Sequence, residues 1–388
     1  MAMNSKKISK VILLLGLVSL ITDISSEIIF PLLPFFLVEI GASALIVGLI
    51  GGVEEGAVGV LNLVSGYASG KKEKKKGWVF SGYFISALSK LGLALSALLS
   101  FWPIALLFRT TDRAGKGIRK APRDTMIAKA AEKRGFGFGV HRAMDTTGAI
   151  VGAALAFLLF YTWKWGYLSI FLLAGVIGFF GLIPLIFLKE KGGKINPRGF
   201  AFSLRSLPRE SLIIIGLITL FDMGNFTYMI FMLRAGSLTA VWIALLLYLL
   251  YNASYAALSI PFGSLSDRVG KHKILTVGYS LYALTCIGFV FSSGLSLLVP
   301  LFILYGAFMA SVDSVQRAYI SDIVPEDLRS TALGTIHMAL ALATIPASLI
   351  AGFLMTIAPQ APFIYGASIG AISAVLIFVY GRRINYKA

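Results

Sequence analysis

Long apolar blocks alternate with short polar turns along this chain. Blocks long enough to cross a bilayer core, which takes about 20 residues, lie near 10–38, 43–69, 77–100, 102–126, 137–162 and 165–188. After a polar break they resume near 211–234, 238–264, 273–293, 296–321, 331–357 and 361–381. A strand barrel would instead show alternating segments of about ten residues. The pattern predicts an all-α membrane protein with twelve transmembrane helices, and the short turns make sequence neighbours antiparallel. The first block follows Lys6, Lys7 and Lys10. It is longer than the apolar core of a signal peptide and lacks a small-residue cleavage site, so it is expected to be a retained span.

Composition agrees with this. Hydrophobic residues make up 57% of the 388, mean hydropathy is +0.84, and only 14% of residues are charged. A soluble chain this apolar would expose large patches to water and aggregate. The net charge of +17 sits mostly in turns on one side. Those turns include Lys71 to Lys76, Lys129 to Arg134, Lys189 to Arg209, Arg268 to Lys273, Arg329 and Arg382-Arg383, against little beyond Glu39, Lys164 and Arg234 on the other. Basic turns mark the cytoplasmic side, so both termini are expected there, in the cell membrane. The charge therefore does not point to nucleic acid. Cys286 is the single cysteine, which excludes a disulfide framework and a cysteine-based metal site.

The longest polar stretch separates six blocks from six. The expected organisation is an N-terminal bundle at 1–189, a cytoplasmic linker at 190–209 and a C-terminal bundle at 210–388. The halves also match at offsets of roughly 195–199 residues: Pro103 with Pro300, Gly66 with Gly263, Gly139 with Gly334, His141 with His337, and Asp23 with Asp222. A parallel repeat of six-span units places a solute site near the midplane.

The turn Gly263-Ser-Leu-Ser-Asp267-Arg268-Val-Gly270-Lys271-His-Lys273 resembles the loop signature of the major facilitator superfamily, and lies between the second and third spans of its half. The first-half counterpart, Gly66-Tyr-Ala-Ser-Gly70-Lys71-Lys-Glu73-Lys, keeps the basic tail but has Gly70 in place of the acid. Gly139, Gly148 and Gly152 in span 5 have the spacing of the antiporter motif of that family's drug-export branches, with Ala153 where the motif has proline. The resemblance implies two pseudo-symmetric six-helix bundles, alternating access, and a cytoplasmic gate that includes Asp267, Arg268 and Lys271.

Charges at bilayer depth are expensive and face protein or water. Span 4 reads Arg109-Thr-Thr-Asp112-Arg113-Ala-Gly-Lys116-Gly-Ile-Arg119-Lys120-Ala-Pro-Arg123-Asp124. At about 100° per residue its charges through Arg123 fall within a stripe of about 120°. Arg109, Asp112, Arg113 and Lys116 are expected either to line a solute site or to tie span 4 to carboxylates of spans 1, 2 or 5. Arg119, Arg123 and Asp124 lie toward the cytoplasmic end and are assigned to the gate. Asp23 and Glu27 in span 1, Glu54 and Glu55 in span 2, and Asp145 in span 5 are the candidates for proton coupling, because a buried carboxyl can hold a proton near neutral pH. Asp222, Asn225, Tyr251, Asn252 and Asp313 are the solute-site candidates of the second half. Phe30, Phe35, Tyr248 and Tyr255 add aromatic surface, and His141 and His337 read as structural.

No Gly-x-x-x-x-Gly-Lys-Ser/Thr is present, so a nucleotide-driven pump is not indicated. No nucleophile–base pair or metal cluster suggests an enzyme, and no cofactor is implied. The expected function is secondary transport of a small solute by a monomer. Proton-coupled efflux of drugs or metabolites by an antiporter comes first. Symport or exchange of an anionic solute, suggested by cationic span 4, is the alternative.

Overall fold

The computed structural model describes residues 9–131, 134–190, 207–325 and 328–385. Among them the secondary structure is helical throughout. Span 1 consists of the helices Lys10–Ile29 and Leu33–Glu39. Span 2 is Ala44–Gly70, span 3 Lys76–Leu99 and span 4 Trp102–Ala130. Span 5 is Arg134–Phe157, extended by a π-helical turn at Leu158–Thr162. Span 6 is Tyr167–Phe180 with Ile183–Ile186. Span 7 consists of Arg209–Gly224 and Tyr228–Leu238. Spans 8 to 12 are Val241–Val269, Lys271–Val290, Leu295–Asp322, Arg329–Ile357 and Ala361–Asn385. Most of the expected linker, residues 191–206, lies outside the described residues.

Eleven of these spans are long and apolar enough to cross a membrane. Span 4 is the exception. Its 29 residues suffice in length, but its charges remove it from a purely apolar criterion. Large side chains such as Leu98, Phe180, Ile260, Phe291 and Val375 are exposed on the helix surfaces, which lipid tolerates and water does not.

The breaks have local causes. Pro31 and Pro34 remove donors inside span 1, and Pro184 does so in span 6. Span 7 opens at Asn225-Phe-Thr227, where the Thr227 hydroxyl accepts from Met229 N at 3.4 Å and starts the second helix. The carbonyls freed at this break are not orphaned. The hydroxyl of Tyr282 (span 9) donates to Gly224 O at 2.6 Å, and that of Tyr365 (span 12) donates to Met223 O. Non-helical backbone at membrane depth needs such internal partners.

The backbone packs into two compact units. The first gathers Leu61–Leu99 with the described parts of Met1–Phe30 and Pro103–Gly199. The second gathers Pro31–Val60, Ser100–Trp102 and the described part of Phe200–Ala388. The split therefore runs through the break in span 1 and the middle of span 2. The neighbour pattern repeats with a shift of six spans. In the first unit span 1 packs on spans 5 and 6, and span 3 on span 6. In the second, span 7 packs on spans 11 and 12, and span 9 on span 12.

Candidate functional site

Two helix crossings build the polar interior of the first unit. Spans 1 and 5 meet backbone to backbone. A Cβ on Gly148 would stand 2.4 Å from Leu20 O, and one on Gly152 2.6 Å from Ile24 O. Two of the three glycines of the partial antiporter motif are thus required by this approach, whereas a Cβ on Gly139 would meet nothing within 4 Å. The crossing places Asp23 against Asp145, each carboxyl group within electrostatic reach of the other. Asp145 also accepts from the Ser19 hydroxyl at 2.7 Å and pairs with Arg142 at 3.3 Å. Both acids are half-buried. Glu27 lies at the same crossing, its Cβ 2.8 Å from where a Cβ on Gly152 would stand. One turn before Asp145, His141 is buried, and its Nε2 has no hydrogen-bond partner among the described residues.

Spans 3 and 4 make the second crossing, at Gly82 and Gly115, where a Cβ on either would lie within 2.6 Å of the other's carbonyl oxygen. It turns most of the charged stripe inward. Arg109, Asp112, Arg113 and Arg119 are buried, Arg123 and Asp124 are half-buried, and Lys116 is exposed. Arg109 pairs at 3.0 Å with Asp112 of its own helix, which also accepts from the Ser86 hydroxyl of span 3. The guanidinium groups of Arg113 and Arg109 lie over the Phe30 ring of span 1, at 4.2 and 5.2 Å from its centroid. Arg119 lies over Tyr83 at 4.3 Å, and Arg123 pairs with Asp124 at 3.0 Å. The Phe30 ring is thus one of the contacts that join span 4 to span 1.

Lys90, which sequence reasoning did not single out, lies at the centre of this network. It is 1% exposed, and its Nζ donates to Ser25 Oγ at 2.8 Å and Ser26 Oγ at 2.9 Å. Ser86 and Lys90 are one turn apart on span 3, so one helix face holds both Asp112 and span 1. A lysine in the middle of an otherwise apolar span was the available signal.

In the second unit Asp222 is buried beside the span 7 break. It accepts from Asn225 Nδ2 at 3.1 Å and from the Thr344 hydroxyl of span 11 at 3.3 Å. Glu54 is buried in the same unit, and Glu55 is exposed. These two acids therefore do not share a unit with Asp23 and Asp145. Asn252 donates to Tyr248 O at 3.1 Å, and Tyr251 stacks on Tyr305 at 5.0 Å. Asp313 accepts from the Tyr255 hydroxyl at 2.8 Å and pairs with Arg317 at 2.9 Å. Lys271 bridges Asp267 at 3.1 Å and Asp322 at 2.6 Å, joining the loop motif to the end of span 10; Arg268 is exposed beside it.

The first-half loop is held differently. Glu190 accepts from the backbone N–H groups of Lys75 and Lys76 at 2.8 Å, where span 3 begins. Lys75 Nζ donates to Ser69 O at 3.1 Å and Lys72 O at 3.4 Å, while Lys76 Nζ donates to Leu188 O at 2.8 Å. A carboxylate from the end of span 6 thus supplies negative charge at a helix N-terminus, where it is favourable. Burial, with the charge of Lys129 behind it, lowers the Lys75 ammonium from the ordinary lysine range, and Glu190 acts in the opposite direction.

Comparison with known proteins gives one answer for the family. The family model for the Major Facilitator Superfamily matches residues 15–235 and 212–387. An uncharacterised MFS-type transporter of Methanocaldococcus jannaschii is 41% identical over 96% of both chains. An uncharacterised protein of Mycobacterium tuberculosis is 26% identical over 93% of this chain and 88% of its own. Among solved structures, a mutant of the nucleoside transporter NupG has a TM-score of 0.81 at 14% identity, covering 95% of this chain and 99% of that one. The POT family transporter PepTSo has a TM-score of 0.78 at 11% identity, covering 99% of this chain and 100% of that one. The charged, broken and crossing spans described above are those of a multi-pass membrane transporter that belongs to the major facilitator superfamily.

Proposed function

We propose that this transporter is a proton-coupled exporter of small amphipathic solutes, residing in the cell membrane with both termini cytoplasmic. The observation that carries the proposal is the Asp23–Asp145 pair. Two like charges this close do not both ionise readily. In this reading the pair shares one proton, and it is half-buried rather than sealed. Alternating access then requires only that the pair lose its proton when water reaches it from the other side. Asp222, Glu54 and Glu55 lie in the second unit.

Export is favoured by the span 1–span 5 crossing, which uses the glycine spacing of the antiporter motif. The alternative, carriage of an anionic solute, draws on Arg109, Arg113 and Lys116. It is weakened because Arg109 is paired with Asp112 and both buried arginines lie over Phe30. Purified protein in proteoliposomes with an imposed pH gradient tests the reading. Asp23→Asn and Asp145→Asn should each retain solute exchange at equal pH and lose accumulation against a gradient by about tenfold or more, a barrier or coupling change of about 1.4 kcal/mol. Wild-type accumulation by both variants would move the coupling site elsewhere. Gradient-driven uptake of an anion, with no cation extrusion, would favour the alternative.

A further inference from the structure

The second unit carries a face that neither the loop motif nor the acids explain. On span 8 the exposed residues Leu246, Ala253, Ala257 and Ile260 fall within a sector of about 60° at the α-helical repeat. Ile260 is 81% exposed, as a lipid-facing side chain should be. Tyr248, Tyr251 and Tyr255 fall in an equally narrow sector centred on the opposite side of the same helix. Yet Tyr251 and Tyr255 are half-exposed. Surface that is open and directed away from lipid lines space inside the protein.

The tyrosines form a continuous ring surface. Tyr228, which opens the second helix of span 7, lies 5.8 Å from Tyr248, and Tyr248 lies 5.8 Å from Tyr251. Tyr251 and Tyr255 are 6.5 Å apart with planes inclined by 8°. Behind them Tyr305, Phe231 and Phe308 are buried and stacked, with Tyr305 at 5.0 Å from Tyr251 and 4.5 Å from Phe231. The front rings are thus backed by a rigid aromatic layer. Their hydroxyls can stay wet or find polar partners, as Tyr255 does on Asp313. Rigid amphipathic rings present large contact area at low entropic cost.

We infer that Tyr228, Tyr251 and Tyr255 form a stacking subsite for a solute that carries a planar aromatic ring. The inference rests on the transporter reading above and adds the substrate's shape to it. A lipid-facing belt is excluded by the helix phase, and a purely structural aromatic core would bury the front rings as it buries Tyr305. The charge of the solute is a separate property. Tyrosine faces also attract cations, so a planar cation gains twice and a planar anion once.

Equilibrium binding to the full chain in lipid nanodiscs tests this without any pH gradient. The probes are ethidium, a planar cation, and fluorescein, a planar anion; tetrapentylammonium, which has no ring, is the competitor, and empty nanodiscs give the lipid background. At least one ring probe should bind above that background and resist displacement by tetrapentylammonium. Tyr251→Leu should weaken it roughly three- to tenfold, and Tyr251→Phe should not. Tyr228→Leu, on a different span, should weaken it in the same direction, and it serves if Tyr251→Leu fails to reach the membrane. The proposal is overturned if neither ring probe binds, if tetrapentylammonium displaces the ring probe fully, or if both leucine variants bind as wild type. Loss of ring binding beside intact pH-driven transport rejects the stacking subsite alone. Intact ring binding beside absent proton coupling rejects the coupling alone.

Discussion

At the scale of single residues, Asp112 is a carboxylate on which several buried cations of the first unit converge. Asp112 accepts from Ser86 and Arg109, and the Lys90 ammonium attracts it as well. Neutralising it as Asp112→Asn removes one compensating charge from these cations, and breaking a buried pair typically costs about 3–5 kcal/mol. Adding Lys90→Met removes one of those cations and fills its volume with a flexible apolar chain. The double variant should therefore recover at least about 1 kcal/mol relative to the sum of the single effects, measured by unfolding of purified protein in detergent. Strict additivity would show that Lys90 and Asp112 do not interact. A second prediction concerns pH at the Glu190 corner. The Lys75 pKa is lowered on folding, so between that value and the ordinary lysine value of about 10.4 the unfolded chain binds more protons. Stability should rise with pH through this window, and Lys75→Met should flatten the rise in thermal unfolding scans. Some of this geometry was legible beforehand. The stripe of span 4 followed from its spacing, and Asp23 and Asp145 were both candidates. Their contact was not legible, because it depends on which faces of two distant helices meet. Lys90 was passed over because a single lysine in an apolar block does not look like a cluster until Ser25, Ser26 and Asp112 are brought around it.

At the scale of elements, glycine placement decides which charges meet. Gly148 and Gly152 let span 5 approach Leu20 and Ile24 closely enough to set Asp145 against Asp23. Gly148→Leu should separate spans 1 and 5 and break the Asp23–Asp145 contact. Its expected phenotype is the coupling loss of Asp23→Asn together with overpacking, which costs about 1–3 kcal/mol. Gly139→Ala, where a Cβ meets nothing, should keep wild-type pH-driven transport in the same proteoliposome assay. Failure of Gly139→Ala with tolerance of Gly148→Leu would invert the assignment. The family motif predicted the three glycines as a set, and only the crossing distinguishes the one that can be replaced. The break in span 7 was not read from its sequence either. Asn225-Phe-Thr carries no proline, and the opening is held from outside by Tyr282 and Tyr365, residues of spans 9 and 12.

At the scale of the whole molecule, block lengths and turn charges were enough to predict a helical membrane protein, and the repeat offsets anticipated the recurrence of helix neighbours six spans apart. The units found by packing could not be read from the chain, because the division passes through the break in span 1 and the middle of span 2, where composition does not change. Span 4, which is set apart by its charges, has a consequence for how the protein is made. A helix leaving the ribosome partitions into the bilayer on its own hydrophobicity, and each arginine, lysine or aspartate near its centre opposes entry by about 2.5–3.5 kcal/mol. Arg109, Asp112 and Arg113 together exceed what the apolar start of this helix supplies. It must therefore enter with its charges already masked, as a hairpin with span 3, whose Ser86 and Lys90 arrive first, and against Phe30 of span 1. A chain truncated after residue 131 should insert span 4 when spans 1 to 3 precede it. The same helix fused alone behind a neutral leader should be translocated rather than retained, as reporters on the two sides of the membrane would reveal. Replacing Lys90 and Ser86 with leucine should lower retention in the longer chain, so that the insertion of span 4, and not only the finished packing, depends on the polar face of span 3.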